Sequence, residues 1–411
     1  MTHLVVVGAS LAGLRAVEAA RRIGHEGPVT LVGAEEHLPY DRPPLSKAYL
    51  DRSAEPPESV IFRTEEHLRG ELGVELRLGS PATRLDTASR TIRLGDGATL
   101  PYDALVIATG GAPRTLPGSE GLAGVHTLRT LDDALAVREA LDAGARTVVV
   151  GGGFIGSEVA SAARKRDLPA TILEALPVPL VRSVGEATGH ACARLHDAHG
   201  TDLRCGVTVE SLESADGRVT GVRLAGGTTV PADLVVVGIG VTPCTGWLRG
   251  SGVPLHERDG GVVTDATLKA LDGVYAAGDV VHFPNPLFDG ELMRLEHWTT
   301  AAEQGALAAK NALDPGNATE LATVPYFWSD LYESRIQFVG VPRGDEIRAV
   351  SEELGEDRFL ALYRRGDRVV GVIGIDRQRQ IMKFRRLIQQ RASWAEALEF
   401  AGVPQPTQAR R

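Results

Sequence analysis

Two segments about 140 residues apart share one pattern: an apolar strand, a cluster of glycines, then a helix. No other feature of the chain restricts the fold as much. The first segment reads His3-Leu-Val-Val-Val-Gly8-Ala-Ser-Leu-Ala-Gly13. Its run Val5 to Val7 predicts a buried strand, and Leu14, Val17 and Ala20 fall on one stripe of a helix over Leu11 to Ile23. Gly24 reads as the helix stop and Val29 to Val32 as a second strand, followed by Glu35 and Glu36. The second segment, Thr147-Val-Val-Val-Gly151-Gly-Gly153-Phe-Ile-Gly156, is a full Gly-x-Gly-x-x-Gly. A helix is expected from Phe154 to Lys165. A strand is expected from Ala170 to Leu173, ending at Glu174, 23 residues after Gly151.

Each residue type in this pattern has a physical reason. Gly8 and Gly151 allow the tight turn out of the strand, and Gly13 and Gly156 let helix and strand pack closely. The helix start, Phe154 and Ile155 in the second copy, offers unbonded N–H groups and a positive dipole end to a pyrophosphate. Gly153 keeps the middle glycine, whereas Ser10 replaces it in the first copy. An acid at the end of the second strand binds a ribose 2′-hydroxyl, which assigns that role to Glu174 and, more loosely, to Glu35. A carboxylate there repels a 2′-phosphate, and no Lys or Arg follows Glu174 until Arg182, so NADH is expected over NADPH. Two such sites in one chain imply electrons passing between two dinucleotides, most simply a nicotinamide and a flavin.

Composition narrows the class. The net charge of -9 argues against a nucleic-acid partner. No apolar run is long enough to span a membrane. The three cysteines, Cys192, Cys205 and Cys244, form no Cys-x-x-Cys and no disulfide framework, and are expected to be buried small apolar residues. With no signal-like segment, they point to a reducing, cytoplasmic setting.

Further segments resemble the flavoprotein disulfide reductase superfamily, with its two dinucleotide domains. Tyr102-Asp-Ala-Leu-Val-Ile-Ala-Thr109-Gly110 is similar to its crossing between domains, and Ala232-Asp-Leu-Val-Val-Val-Gly-Ile-Gly240 to the return crossing. Val274-Tyr-Ala-Ala-Gly278-Asp279 is similar to the segment whose aspartate meets the FAD ribitol. Pro39-Tyr-Asp-Arg-Pro-Pro-Leu-Ser-Lys47, Glu296-His-Trp298 and Tyr326-Phe-Trp328-Ser-Asp330 narrow the match. They resemble the FAD-dependent ferredoxin reductases of oxygenase systems, the group of putidaredoxin reductase and biphenyl dioxygenase ferredoxin reductase. Where disulfide reductases of the superfamily carry a redox cysteine pair, Arg42 to Lys47 contains no sulfur.

The resemblance implies FAD contacts from Ala12, Glu35, Lys47, Ala82, Arg129, Asp279 and Trp298, with Arg42, Thr109, Gly110 and Trp328 as further candidates. Gly240 joins the NAD set. It also pairs Lys47, beside the flavin N5 edge, with Glu158 as the catalytic couple; a plain helix-surface charge is the alternative for Glu158. No metal site is expected.

The expected fold is α/β: two Rossmann-like, glutathione-reductase-like dinucleotide-binding domains plus a C-terminal α+β domain. The FAD domain takes 1–112 and 245–317, the NAD domain 113–244 and the C-terminal domain 319–411, with 311–318 as a linker. Function follows as electron flow from NADH through FAD to a [2Fe-2S] ferredoxin serving a cytochrome P450 or Rieske oxygenase. The stretch 376–391, with six basic residues against one acid, is the expected docking face. A rubredoxin reductase and a redox-controlled interaction protein resembling apoptosis-inducing factor are the alternatives.

Overall fold

A strand that is apolar at every position has no face to offer water, so it belongs inside a parallel sheet covered on both sides. The computed structural model describes residues 1–51, 60–350 and 359–403, and it puts the apolar runs of this chain in that position. Two parts of the expected C-terminal domain, 351–358 and 404–411, lie outside the described residues. The chain divides into two compact units: Met1–Asp41 with Ser59–Ala112 and Val241–Thr323, and Arg42–Glu58 with Pro113–Gly240 and Val324–Arg411.

The first unit is built on a six-stranded sheet. Its order is Lys269–Leu271, Val274–Ala276, Ala104–Ile107, Leu4–Val7, Val29–Val32 and Val74–Arg77. Leu4 pairs in parallel with both Val29 and Ala104, so the glycine turn after Val7 emerges at the carboxyl edge of the central strands. The helix Leu11–Arg22 packs against Trp298–Leu313. Gly305 makes that crossing possible, because a Cβ there would stand 2.0 Å from the carbonyl oxygen of Ala12. Asn311, expected to open a linker, is instead fully buried in Trp298–Leu313. Its side-chain amide donates to the carbonyls of Thr267 and Thr319 at 2.8 and 2.9 Å, and those bonds carry the helix to Leu313.

Two five-stranded sheets dominate the second unit, beside a three-stranded antiparallel one of Val209–Ala215, Arg218–Leu224 and Thr229–Pro231. One of the two is parallel, ordered Asp202–Cys205, Ala170–Glu174, Thr147–Val150, Leu234–Val237 and Val125–His126. It repeats the register logic of the first unit, with Thr147 between Ala170 and Leu234. The other is the expected antiparallel sheet, Tyr326–Leu331, Ser334–Gly340, Arg368–Ile375, Leu360–Arg365 and Glu346–Ala349, followed by the helices Gln378–Gln389 and Trp394–Ala401. Polar contacts join the two. His196, with no exposed surface, shares hydrogen bonds with Tyr332 Oη at 2.7 Å and Ser157 Oγ at 3.2 Å, and Tyr332 N donates to Ser161 Oγ at 2.6 Å.

Two outcomes follow from this packing. Gly305→Ala forces the two helices apart and is expected to cost about 3 kcal/mol, read as a lowered melting temperature. Burial pushes the His196 imidazole down to about 4, so it stays neutral in the folded chain while the unfolded chain takes up a proton near pH 6.5. Its contribution is present above pH 6.5 and lost as pH falls toward 4, by up to about 3 kcal/mol. Urea unfolding at pH 7 and pH 5 should show that loss, and His196→Gln should flatten it.

Candidate functional site

In the first unit the turn Gly8 to Gly13 is closed by backbone proximity. Gly8 has φ +122°, and a Cβ there would lie 2.0 Å from the Ala108 carbonyl oxygen; at Gly13 the distance to the Gly8 carbonyl oxygen would be 1.8 Å. Ser10 stands just before the helix with φ -107°, ordinary extended backbone, which explains why serine is accepted where a glycine was expected. Ala12 is buried, and no carboxylate lies in the first helical turn to compete with a phosphate. Glu35 lies three residues beyond the strand and accepts the Tyr40 hydroxyl at 2.5 Å.

The remaining candidates of that unit lie on its strand ends and on one helix. Thr109 Oγ1 donates to the Cys244 carbonyl at 2.8 Å and the Gly110 carbonyl accepts the Cys244 N–H at 2.9 Å. Ala82 opens the strand Ala82–Asp86 and is half-buried. Asp279 follows Gly278 on the turn after Val274–Ala276, and its carbonyl accepts Arg294 Nη1 at 3.0 Å. Gln304, fully buried, accepts the Gly278 N–H at 2.8 Å. Trp298 begins its helix and donates its indole N–H to Asp41 at 2.7 Å. On the same helix, the Thr300 hydroxyl and the Gln304 amide nitrogen are buried with no hydrogen-bond partner. Such atoms carry a cost of about 1–3 kcal/mol each, and the polar body of a dinucleotide would relieve it.

In the second unit Gly151 has φ +106°, and a Cβ at Gly156 would lie 2.2 Å from the Gly151 carbonyl oxygen. Gly153 is different: a Cβ there would meet nothing nearer than 3.8 Å, so protein packing does not require the glycine. Room left beside a helix N-terminus fits a phosphate passing close to the backbone. The Glu174 carboxylate is fixed at its strand end, accepting the N–H of Gly152 at 2.6 Å and of Leu176 at 2.8 Å. Ile155 is exposed, while Phe154 packs on Phe327 with ring centroids 4.7 Å apart. Gly240 lies exposed beyond Leu234–Val237, its carbonyl accepting the Arg114 N–H at 2.9 Å.

The same unit brings Lys47 and Glu158 together. Glu158 is 2% exposed on the helix Phe154–Arg164, which removes the reading of it as a surface charge. Lys47 Nζ stands 2.8 Å from one carboxylate oxygen and 2.9 Å from the other. The Ser329 hydroxyl donates to the first and the Ser46 hydroxyl to the second, both at 2.5 Å. Strand alternation then turns Trp328 to the opposite face from Ser329, where it stacks with Tyr326 at 5.9 Å. Arg42 donates to the Arg129 carbonyl at 2.5 Å, and the Arg129 N–H donates to Asp133 at 2.9 Å.

Three contributors escaped sequence reasoning. Ser46 and Ser329 both lie inside motifs already singled out, one residue from Lys47 and Trp328, and that adjacency was the only available signal. Gln304 had none. The cysteines need a correction: Cys192 is fully buried, its thiol pushed up to about 12 by burial, but Cys205 and Cys244 are only half-buried.

Comparison with known proteins agrees with this geometry. Residues 2–305 match the family model for pyridine nucleotide-disulphide oxidoreductases, and residues 326–401 match the reductase C-terminal family. The chain is 35% identical to rhodocoxin reductase of Rhodococcus erythropolis, over 94% of this chain and 89% of that protein. It is 36% identical to the ferredoxin–NAD(+) reductase component of the p-cumate 2,3-dioxygenase system of Pseudomonas putida, over 96% and 94%. Putidaredoxin reductase, solved in covalent complex with putidaredoxin, superposes with a TM-score of 0.89 at 34% identity, covering 95% of this chain and 93% of that one.

A buried carboxylate with three donors is sensitive to loss of its charge. Glu158→Gln turns an amide N–H toward a serine or the ammonium and is expected to cost about 3 kcal/mol, against about 1.5 kcal/mol for Ser329→Ala. The double variant should fall well short of the sum when the three are compared by urea unfolding.

Proposed function

The chain belongs to the pyridine nucleotide-disulphide oxidoreductase family, and from that premise we propose that it is a flavoprotein ferredoxin reductase, passing electrons from NADH through FAD to a [2Fe-2S] ferredoxin that supplies a cytochrome P450 or a Rieske oxygenase. The observation that carries the proposal is the Lys47–Glu158 couple with its two serine donors, in a segment without sulfur, in a chain whose relatives include ferredoxin–NAD(+) reductases. FAD, when bound, supplies the exchange between a two-electron donor and a one-electron acceptor.

Residues of the chain supply position and charge. Gly8, Ser10, Ala12, Gly13, Glu35, Ala82, Thr109, Gly110, Asp279 and Trp298 bind FAD, with Arg42, Lys47, Arg129 and Trp328 completing the set. Gly151, Gly153, Phe154, Ile155, Gly156, Glu174 and Gly240 bind NADH. Glu174, tied to two backbone N–H groups, cannot swing away from a 2′-phosphate, which supports the choice of NADH. Glu158 fixes the Lys47 ammonium, and that ammonium stabilises negative charge on the reduced ring. The division of labour runs over 1–112 and 245–317 for FAD, 113–244 for NADH and 319–411 for the C-terminal domain, in a cytoplasmic protein. Among the described residues no helix is long and apolar enough to cross a membrane.

For ferredoxin docking we assign the helix Gln378–Gln389. It buries Ile381, Phe384 and Ile388 and leaves Arg379, Lys383 and Arg386 exposed along its outer side. A basic stripe on a chain of net charge -9 steers and orients an acidic partner.

Two measurements test the reading. In stopped flow, NADH should bleach the flavin far faster than NADPH, and added [2Fe-2S] ferredoxin should turn over; bleaching without ferredoxin reduction defeats the proposal. Reversing Arg379, Lys383 and Arg386 to Glu should slow ferredoxin reduction at least about tenfold at low salt and leave NADH–ferricyanide turnover unchanged.

A further inference from the structure

Tyr332 is the first of the two residues that turn the strand Tyr326–Leu331 back into Ser334–Gly340. Its φ is +56°, a left-handed conformation that favours glycine and that a bulky side chain keeps only where its surroundings impose it. Here they do. The ring is buried. Its hydroxyl shares hydrogen bonds with His196 Nδ1 and Thr201 Oγ1, both at 2.7 Å, and its backbone N–H donates to Ser161 Oγ at 2.6 Å. The His199 ring lies flat on it, with centroids 4.0 Å apart and planes 5° from parallel. We propose that Tyr332 is a positioning residue for the Lys47–Glu158 couple: it fixes the strand Tyr326–Leu331 lengthwise along the helix Phe154–Arg164, and so keeps Ser329 on the Glu158 carboxylate.

The register of strand on helix carries this. Phe154, Glu158 and Ser161 stand on one stripe of the helix, spaced i, i+4 and i+7. They meet Phe327, Ser329 and Tyr332 in that order. Four helical residues rise about 6 Å and two strand residues about 6.6 Å, so strand and helix keep step from the first contact to the second. The first contact is between two aromatic rings, and apolar packing has little preferred direction along the axis. The last is a set of hydrogen bonds, which weaken steeply when their angles are lost. Tyr332 is therefore the end that sets the register. His196 ties it back to the helix, since its Nε2 shares a hydrogen bond with Ser157 Oγ at 3.2 Å, one residue from Glu158.

Ser329 is the donor that the antiparallel sheet contributes to Glu158. With that donor displaced, the carboxylate keeps more uncompensated negative charge beside the ammonium, and the positive field of the couple weakens. On the flavoprotein reading, on which this consequence rests, the reduced ring is then less stabilised and the flavin midpoint potential falls.

The test is spectroelectrochemical titration of the FAD-loaded full chain as wild type, Tyr332→Phe, Ser329→Ala and the double variant. Tyr332→Phe keeps the stacked ring and removes both bonds of the hydroxyl. The flavin potential is expected to shift downward in Tyr332→Phe, as in Ser329→Ala, and the double variant to lie no lower than Ser329→Ala alone. A residue that only fastens the fold would lower the urea midpoint and leave the potential in place; that result, or shifts that add in the double variant, overturns the proposal. If Tyr332→Phe does not fold, Thr201→Val, which removes one of the two bonds, takes its place under the same criteria. A wild-type chain that takes up no FAD defeats the flavoprotein reading instead. The same variants are then compared by urea unfolding, where a double variant short of the sum supports the hold of Tyr332 on Ser329 and a full sum overturns it.

Discussion

A carboxylate withdrawn from water costs several kcal/mol unless its lone pairs are met, and Glu158 is withdrawn almost completely. The second unit is organised around meeting that demand. Lys47 and Ser46 come from 112 or fewer residues upstream and Ser329 from 171 residues downstream, so the helix Phe154–Arg164 gathers both segments onto one side chain. The upstream segment is held by more than this pair. Buried Arg166 donates to the Leu50 carbonyl, Arg138 to the Tyr49 carbonyl and Arg42 to the Arg129 carbonyl. Polar bonds and the burial of Leu45, Tyr49 and Leu50, not sheet pairing, thus hold Arg42 to Asp51 in the second unit.

The two glycine turns show how one fold solution diverges. In both, a left-handed glycine leaves the central strand and a second glycine lets the helix touch the first. The acid after the second strand does not match. Glu174 reaches back to the N–H of Gly152 and braces its own turn, whereas Glu35 engages the Tyr40 hydroxyl. Glu174 is the last residue of its strand, whereas Glu35 lies three residues past its own.

Strands, helices and turns were legible because each rests on local signals: β-branched runs, a helical stripe, glycines at fixed spacing. The Lys47–Glu158 pair was legible only through the resemblance, since nothing local relates residues 111 apart. Gln304, Gly305 and Asn311 were not legible. Gln304 and Gly305 are defined by the Gly278 turn and by Ala12, Asn311 by Thr267 and Thr319. Asn311 was misread for a physical reason: an asparagine near Pro-Gly looks like a loop signal, but here its buried amide is spent on the backbone carbonyls of Thr267 and Thr319.

Disulfide chemistry, which the family name includes, is disfavoured at Cys192 and Cys205, where burial raises the thiol. A working thiol needs a lowered pKa and access. Cys192 has neither, with no exposed surface and a thiol held near 12. Cys205 is raised by burial first and then by the carboxylates of Glu174 and Asp197, which oppose a thiolate. Cys244 uses its backbone in the Thr109–Gly110 crossing. No two of the three are closer in sequence than 13 residues. Ser46 and Lys47, in a segment that holds no sulfur, are both committed to Glu158. A serine hydroxyl and an ammonium at that carboxylate can place charge but cannot store electrons, so what this cluster does is hold a cation still.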